Sequence, residues 1–200
     1  MLRILITGFE PFGDNVENSS WEVARRVASC GVAGVEVIAE RLPVSFYRVA
    51  DELQTKVEQH TPDLVIVLGQ SAVADRIKLE RVALNIMDSA MGDNDGVKPD
   101  EEPIDKSGAA ALFTSLPIKK LRSAIETKGI NVKISNSAGL YVCNRAYYEA
   151  LRMCKERGAM QAIFVHLPLY ERQASLQTDK KTMPLGDMCR AVQTIIEEIK

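Results

Sequence analysis

The chain has 200 residues, 46% of them hydrophobic and 26% charged, with a formal net charge of −2 at pH 7. This length suits a single domain with enough core to fold without disulfides or metal, and we expect residues 1–200 to form one domain. The lack of a basic excess argues against nucleic acid and against an anionic membrane surface as partners. Every apolar run is too short to cross a bilayer, and the first one is too short for a signal peptide, so we expect a cytoplasmic protein.

Apolar runs of strand length alternate with amphipathic helical patterns along the chain. The predicted strands are Leu2–Thr7, Val35–Arg41, Leu64–Leu68, Val132–Ser135 and Ala162–His166. The predicted helices are Trp21–Ser29, Ser45–Gln59, Gly108–Phe113, Ile118–Thr127, Cys143–Arg157 and Leu185–Ile199. Several strands are continuously apolar, as strands covered on both faces must be. The pattern predicts an α/β fold, a single-domain α/β/α sandwich with a largely parallel central sheet.

The segment 70–107 interrupts this alternation. Residues 77–88 alternate enough to suggest a short hairpin or edge strands, and residues 93–103 form a polar, turn-rich loop. A long loop in a compact domain is usually functional or mobile, but a solvated insertion fits the sequence equally well. The sequence leaves these alternatives open.

In open α/β sheets, ligands bind beyond the carboxyl ends of the strands. We expect four loops to converge there, namely Gly8–Gly13, Gly69–Ser71, Ser137–Asn144 and His166–Pro168. The first loop has neither the P-loop sequence nor the spacing of a dinucleotide site. Its two phenylalanines, at 9 and 12, suit either the wall of a small apolar pocket or the core.

The four cysteines, at positions 30, 143, 154 and 189, match neither a disulfide framework nor a zinc site, so we expect free thiols. Cys189 lies on an apolar helical face, Cys154 lies inside a predicted helix, and Cys30 ends one. Cys143 instead follows a glycine-containing turn and opens a helix. The helix dipole lowers the pKa of a thiol placed there, and the free N–H groups of the first turn can stabilise an oxyanion.

The chain contains two histidines. His60 lies at a predicted helix end, where a histidine interacts favourably with the C-terminal dipole. His166 ends an apolar strand, where it is either a hydrogen-bonded core residue or a catalytic base. If the chemistry is of the Cys–His kind, only His166 is placed to serve Cys143.

A third group would orient the imidazole and stabilise its charged form. The sequence offers Glu80, Asp75 and Asp88 as candidates and does not choose among them. The neighbouring Arg81 suggests a surface ion pair as another role for Glu80.

Seven short motifs follow one another along essentially the whole chain. They are Gly8-Phe-Glu-Pro-Phe-Gly13, Asn18-Ser-Ser-Trp21, Pro62-Asp-Leu-Val-Ile-Val-Leu-Gly-Gln70, Glu80-Arg-Val-Ala-Leu-Asn85, Asp93-Asn94, Ser137-Ala-Gly-Leu-Tyr-Val-Cys-Asn144 and Phe164-Val-His-Leu-Pro168. Each motif alone is weak, but together and in this order they resemble the pyroglutamyl-peptidase I (pyrrolidone-carboxylate peptidase) family.

The resemblance implies a cysteine exopeptidase that removes the N-terminal pyroglutamyl residue from peptides and proteins through a thioacyl-enzyme. It implies a triad of Cys143, His166 and Glu80, no metal or cofactor, and often a homotetramer. The substrate-binding residues that it implies are Phe9, Phe12, Gln70 and Val142.

One position departs from the family pattern. Many bacterial members have an arginine where this chain has Ala90, and that arginine is expected to help at the oxyanion site. Its absence leaves the backbone N–H groups near Cys143, or another nearby group, to stabilise the oxyanion. Two alternatives remain at this point, a nucleoside phosphorylase-like transferase of similar fold and a non-catalytic pyroglutamyl-peptide-binding protein.

Overall fold

The computed structural model describes residues 1–13, 15–174 and 181–200. Its strands are β1 (Leu2–Phe9), β2 (Val35–Leu42), β3 (Leu64–Gln70), β4 (Ile77–Glu80), β5 (Val82–Leu84), β6 (Ala111–Phe113), β7 (Val132–Ser135) and β8 (Gln161–Leu167). Its helices are α1 (Ser19–Cys30), α2 (Arg48–His60), α3 (Ile118–Thr127), α4 (Val142–Arg157), α5 (Glu171–Ala174) and α6 (Leu185–Ile199).

Six strands form the central sheet in the order β2-β1-β3-β8-β4-β7. β1 pairs in parallel with β2 and β3, and β3 pairs in parallel with β8. β4 runs antiparallel to β8, and β7 is parallel to β4. The predicted α/β fold with a largely parallel sheet is therefore confirmed.

The sheet is buried on both faces. In β1, Ile4 and Ile6 pack into a cluster with α1, α3 and α6, while Leu5 between them packs into a second cluster with α2 and α4. Because successive side chains of a strand point to opposite faces, a strand covered on both sides must be apolar throughout. In the described part of the chain, no helix is both long enough and apolar enough to cross a membrane.

The cap residues of α1 behave as its sequence predicts. The Asn18 side chain accepts a hydrogen bond from the N–H of Ser20, and Gly31 ends the helix with a φ of 67°. α2 begins at Arg48, three residues later than predicted, because the Ser45 hydroxyl accepts the N–H of Arg48 and residues 45–47 form a turn before the helix.

The prediction of a helix at Gly108–Phe113 is wrong. Ala111–Phe113 is β6, which pairs antiparallel with β5. The three alanines at 109–111 favour a helix by intrinsic propensity, but the backbone here bonds elsewhere. The Ala110 carbonyl accepts the N–H of Asn85, and the Ala109 carbonyl accepts the Tyr148 hydroxyl. Tertiary contacts therefore override propensity in this segment.

The prediction of a hairpin or edge strands within Ile77–Asp88 is confirmed for β5 and wrong for β4. β5 is an edge strand, because it pairs only with β6 in a separate two-stranded sheet of the described structure, whereas β4 lies inside the central sheet between β8 and β7. Ile77 and Leu79 are fully buried, as an internal strand requires. The partners of both strands lie far along the chain, so the local sequence gave no sign of them.

Candidate active site

Three of the four predicted loops leave the sheet at the same end, the carboxyl end of β1, β3 and β8, because these strands are parallel. β7 runs in the opposite direction, so the prediction that its following loop leaves at that end is wrong. Cys143 nevertheless lies at that end, because α4 leads directly into β8 and runs antiparallel to it. The first turn of α4 therefore lies beside the carboxyl end of β8.

The structure brings the predicted cysteine, histidine and glutamate together. Nδ1 of His166 lies 2.8 Å from Oε1 of Glu80, and Cys143 is close enough to the imidazole to help raise its pKa. Because Nδ1 is occupied by Glu80, Nε2 is the ring nitrogen left for the thiol. This arrangement can hold a thiolate beside an imidazolium whose other side is neutralised by a carboxylate.

The environment of His166 favours its protonated form. The ring is 7% exposed and packs against Phe164, with the ring centroids 4.7 Å apart. Burial alone lowers the pKa of His166, but the hydrogen bonds and charges of Cys143 and Glu80 outweigh it and raise the pKa to about 9. The imidazole is therefore charged at neutral pH when Cys143 is a thiolate.

Glu80 is the only one of the three candidate carboxylates that bonds His166 in the described structure. It is fully buried, whereas Asp75 pairs with Arg76 at the surface. The suggested ion pair between Glu80 and Arg81 is absent from the described contacts, because the Arg81 guanidinium bonds the Asn136 side chain instead. The antiparallel register places Glu80 opposite Phe164, on the same face as His166 two residues further along β8.

The other cysteines lie in different environments. Cys154 and Cys189 pack against the two apolar clusters, and Cys30 is exposed. Burial raises the pKa of Cys154 to about 12 and also raises the pKa of Cys189. Both therefore stay thiols at neutral pH, which makes them poor nucleophiles.

Gly69 is required by close packing beside Cys143. A β-carbon at this position would lie 2.5 Å from Cζ of Phe164 and 3.1 Å from Sγ of Cys143. Since the first distance is far below van der Waals contact, only glycine lets β3 pass this close to the thiol.

A small cavity opens next to Cys143. The predicted residues that line it are Phe9, Phe12, Gln70, Val142 and Cys143. Of the two roles left open for the phenylalanines, Phe9 serves both, since it is 3% exposed and also packs into the core, while Phe12 is only partly buried.

Three further residues line this cavity and were not predicted as site residues, namely Asn18, Val44 and Tyr141. Tyr141 directly precedes α4, and its ring packs edge-on against Phe46 with 5.2 Å between centroids. Burial, chiefly, raises the pKa of Tyr141 to about 12, so its hydroxyl keeps its proton and donates to the Gly92 carbonyl at 3.0 Å. The position of Tyr141 just before the cysteine was the available signal, whereas nothing near Val44 in the sequence marked it.

The loop after β1 is fixed from both sides. The Asn18 amide donates to the Glu10 carbonyl, and the Asn94 amide donates to Oε1 of Glu10 and to the Pro11 carbonyl. Oε1 of Glu10 also accepts the N–H of Val44. These bonds hold Phe9 and Phe12 in place as a rigid wall.

The interrupting segment is bound to the start of α4. Asn144 is fully buried, and its side chain bonds both the N–H and the carbonyl of Leu84 and the carbonyl of Ile86. Together with the Asn94 bonds to the first loop, this shows that the segment packs around the cavity. Of the alternatives left open by the sequence, the structure favours a functional segment over a solvated insertion.

The Gln70 amide is held in one orientation. Its Oε1 accepts the N–H of Ser19 at 2.8 Å and Nε2–H of Gln173 at 2.8 Å. Its Nε2 is buried and has no hydrogen-bond partner among the described residues. Gln70 thus lines the cavity and carries an unused donor.

Comparisons with known proteins show which family this chain resembles. A family model described as pyroglutamyl peptidase matches residues 2–200. The pyrrolidone-carboxylate peptidase of Thermococcus onnurineus is 41% identical over 197 residues, which cover 98% of each chain. The corresponding protein of Gloeobacter violaceus is 36% identical over 199 residues, 100% of this chain and 97% of that one.

Solved structures give the same result. The pyrrolidone carboxyl peptidase of Fervidobacterium islandicum superposes with a TM-score of 0.96 at 32% identity, covering 100% of this chain and 98% of that one. Pyroglutamyl peptidase I of Bacillus amyloliquefaciens superposes with a TM-score of 0.93 at 31% identity, covering 97% and 94%. With a matching family model, matching relatives and a matching fold over nearly its whole length, the chain belongs to the pyroglutamyl peptidase family.

Proposed function

We propose that this protein is a cysteine exopeptidase that hydrolyses the bond between an N-terminal pyroglutamyl residue and the rest of a peptide. The observation that carries the proposal is the continuous arrangement of Glu80, His166 and Cys143 at the wall of a small cavity with aromatic residues. Membership of the family supports the substrate class.

In the first step, the Cys143 thiolate attacks the carbonyl carbon of the scissile bond. A C–S bond forms, and the carbonyl oxygen takes up the negative charge. His166 then gives its proton to the leaving amine as the C–N bond breaks, which leaves a thioacyl-enzyme. His166, now neutral, takes a proton from water as the water attacks the thioester, and the thiolate–imidazolium pair is restored when pyroglutamate leaves. Glu80 holds the imidazole orientation and stabilises its charge throughout.

The start of α4 supplies donors for the developing oxyanion. The N-cap residue, Tyr141, makes no side-chain cap bond, and the first N–H groups of a helix have no carbonyl of a preceding turn to bond. Backbone donors of this kind stabilise charge that develops in the transition state. Ala90 has no donor group in its side chain and is exposed, so the role of the family's arginine falls to this backbone.

The cavity suits a lactam. Phe9 and Phe12 offer apolar surface to the ring, and Nε2–H of Gln70, which has no partner among the described residues, offers a donor to the lactam carbonyl. A buried amide donor without a partner costs about 1–3 kcal/mol, which a bound acceptor would remove. A prolyl residue lacks this carbonyl and carries a charged amine, so it should bind poorly.

Two finer properties belong to the same proposal, a cytoplasmic location and a homotetramer. The family resemblance supports the homotetramer, and the cytoplasmic location stays a prediction from the sequence. Multi-angle light scattering on the purified protein tests the assembly, with a mass near four times 22.1 kDa as the expected result.

The test is hydrolysis of a pyroglutamyl fluorogenic amide by the reduced wild type, with and without iodoacetamide. Cys143→Ser and Cys189→Ser serve as a matched pair. We expect turnover by wild type and Cys189→Ser, loss of turnover in Cys143→Ser, and loss after alkylation.

Persistent turnover in Cys143→Ser would show that the nucleophile is wrong. Binding of a pyroglutamyl peptide without turnover by reduced wild type would favour the non-catalytic alternative, and Ala90→Arg would then test whether the missing arginine is the cause. Phosphate-dependent cleavage of nucleosides would favour the transferase alternative.

A further inference from the structure

We propose that Gln173 is a positioning residue for substrate recognition, because it fixes the amide of Gln70 so that the donor faces the cavity. The inference rests on the proposed function and deepens it. It assigns part of the specificity for a lactam carbonyl to a residue outside the described cavity lining.

Gln173 lies in the short helix α5, just after β8, and is 5% exposed. Its Oε1 accepts the N–H of Tyr170 at 3.1 Å, and its Nε2 donates to the Glu17 carbonyl at 3.1 Å. Since a backbone N–H can only donate and a carbonyl can only accept, these bonds determine which end of the Gln173 amide is nitrogen.

The second hydrogen of Nε2 then points at Gln70. It donates to Oε1 of Gln70 at 2.8 Å, and the N–H of Ser19 donates to the same oxygen at 2.8 Å. A flipped Gln70 would place its NH₂ group against both donors and lose both bonds. Gln173 and Ser19 therefore hold the oxygen of Gln70 in the interior and leave its Nε2 as the group offered to a ligand.

The orientation matters because the two ends of an amide recognise opposite partners. With Nε2 at the cavity, the wall donates to a carbonyl oxygen, which pyroglutamate has and proline lacks. With Oε1 at the cavity, the same wall would attract the ammonium or imino N–H of an ordinary N-terminal residue. Fixing the amide thus selects for the cyclised residue and against the free amine.

The experiment compares Gln173→Met, which keeps the length of the side chain but removes both donors, with Gln161→Met. Gln161 is the first residue of β8, at the opposite end of the strand from His166, and it does not line the cavity, so it controls for the substitution itself. Steady-state kinetics are measured with pyroglutamyl and prolyl fluorogenic amides, and thermal unfolding is followed for each variant.

We expect Gln173→Met to raise KM for the pyroglutamyl amide about tenfold, the effect of losing one hydrogen bond, with little change in kcat. The ratio of pyroglutamyl to prolyl turnover should fall in parallel.

The second comparison places Gln173→Met in a Gln70→Met background. If Gln173 acts through Gln70, the second substitution adds little further loss of binding, and the two effects are strongly non-additive. Equal losses in both backgrounds, or a fall in kcat with unchanged KM and unchanged selectivity, would overturn the inference and leave Gln173 a structural residue. If the wild type itself fails to hydrolyse the pyroglutamyl amide, the proposed function fails, which is a separate result.

Discussion

The start and the end of α4 each carry a cysteine, and both are partly buried against the same apolar cluster, yet their polar surroundings differ. Cys143 lies in the first turn, beside His166, and lines the cavity. Cys154 lies near the last turn, packed against apolar side chains that raise its pKa to about 12. The comparison teaches that reactivity comes from the surroundings of a thiol, which here are built by residues far away in the chain.

Removing the charge of Glu80 should have the largest effect on the surroundings that distinguish Cys143 from Cys154. In Glu80→Gln the imidazole loses the carboxylate that stabilises its protonated form, so we expect kcat/KM for the pyroglutamyl amide to fall about 10²–10⁴-fold. Glu149→Gln is the matched control, because Glu149 is also a buried carboxylate but pairs with Arg145 and Arg152 away from the cavity. Equal losses in both variants would mean that Glu80 acts only on stability.

The pH profile of kcat/KM tests the same contact between His166 and Glu80. Because the pKa of His166 is raised to about 9, the imidazolium persists at neutral pH and is lost as the pH rises through about 9. We therefore expect kcat/KM of the wild type to fall along an alkaline limb near that pH. Glu80→Gln removes a group that raises the pKa of His166, so the limb should move to lower pH. A limb that stays in place would show that another group titrates there.

The rate of alkylation compares the reactivity of Cys143 and Cys154 directly. A thiol with a pKa of about 12 is only about 0.01% thiolate at pH 8, so Cys154 should react with iodoacetamide at least about 10²-fold more slowly than Cys143. Peptide mapping by mass spectrometry at a series of times measures both rates in one sample. Comparable rates would contradict the assigned difference in environment.

Adding a methyl group at Gly69 should break the close packing around Cys143. In Gly69→Ala the new carbon collides with Phe164, so we expect a stability loss of about 1–3 kcal/mol together with reduced kcat. Gly186→Ala is the control, since a β-carbon there meets no atom within 4 Å. Denaturant unfolding and steady-state kinetics measure the two effects, and an unchanged Gly69→Ala variant would refute the packing argument.

A substitution in the cavity wall that leaves Cys143 unchanged should have the smallest effect on activity. Phe12→Ala removes apolar surface that faces the ligand, so KM should rise about tenfold while kcat and the alkylation rate of Cys143 stay near the wild-type values. Phe113→Ala serves as the control because Phe113 is 65% exposed and lies outside the cavity lining. A large fall in the alkylation rate would mean that Phe12 also shapes the surroundings of the thiol.

The sequence predicted the parts of this molecule that depend on local pattern. The continuously apolar strands, the capped helix α1 and the helix start at Cys143 all follow from short-range rules. The single strand-end histidine made His166 the only candidate base. The choice of Glu80 over Asp75 and Asp88 came from the family motifs, since nothing local distinguishes these carboxylates.

The features that were missed depend on long-range pairing. β4 is positioned by β8 and β7, and β6 is positioned by β5, so the sequence predicted a helix at Gly108–Phe113 and an edge position for β4. The direction of β7 was missed for the same reason. Gln173 gave no signal either, because its role rests on an amide more than 100 positions earlier in the chain.

The central position of β8 bears on the order in which the molecule can be completed during synthesis. β8 joins β3 on one side to β4 on the other, yet it emerges from the ribosome after both of them and after β7. Until residues 161–167 are available, β4 and β7 have no partner that connects them to β1–β3. A nascent chain that ends before β8 therefore holds the proposed nucleophile and carboxylate but neither the proposed base nor the strand that unites them, so we expect peptidase activity to arise only late in translation.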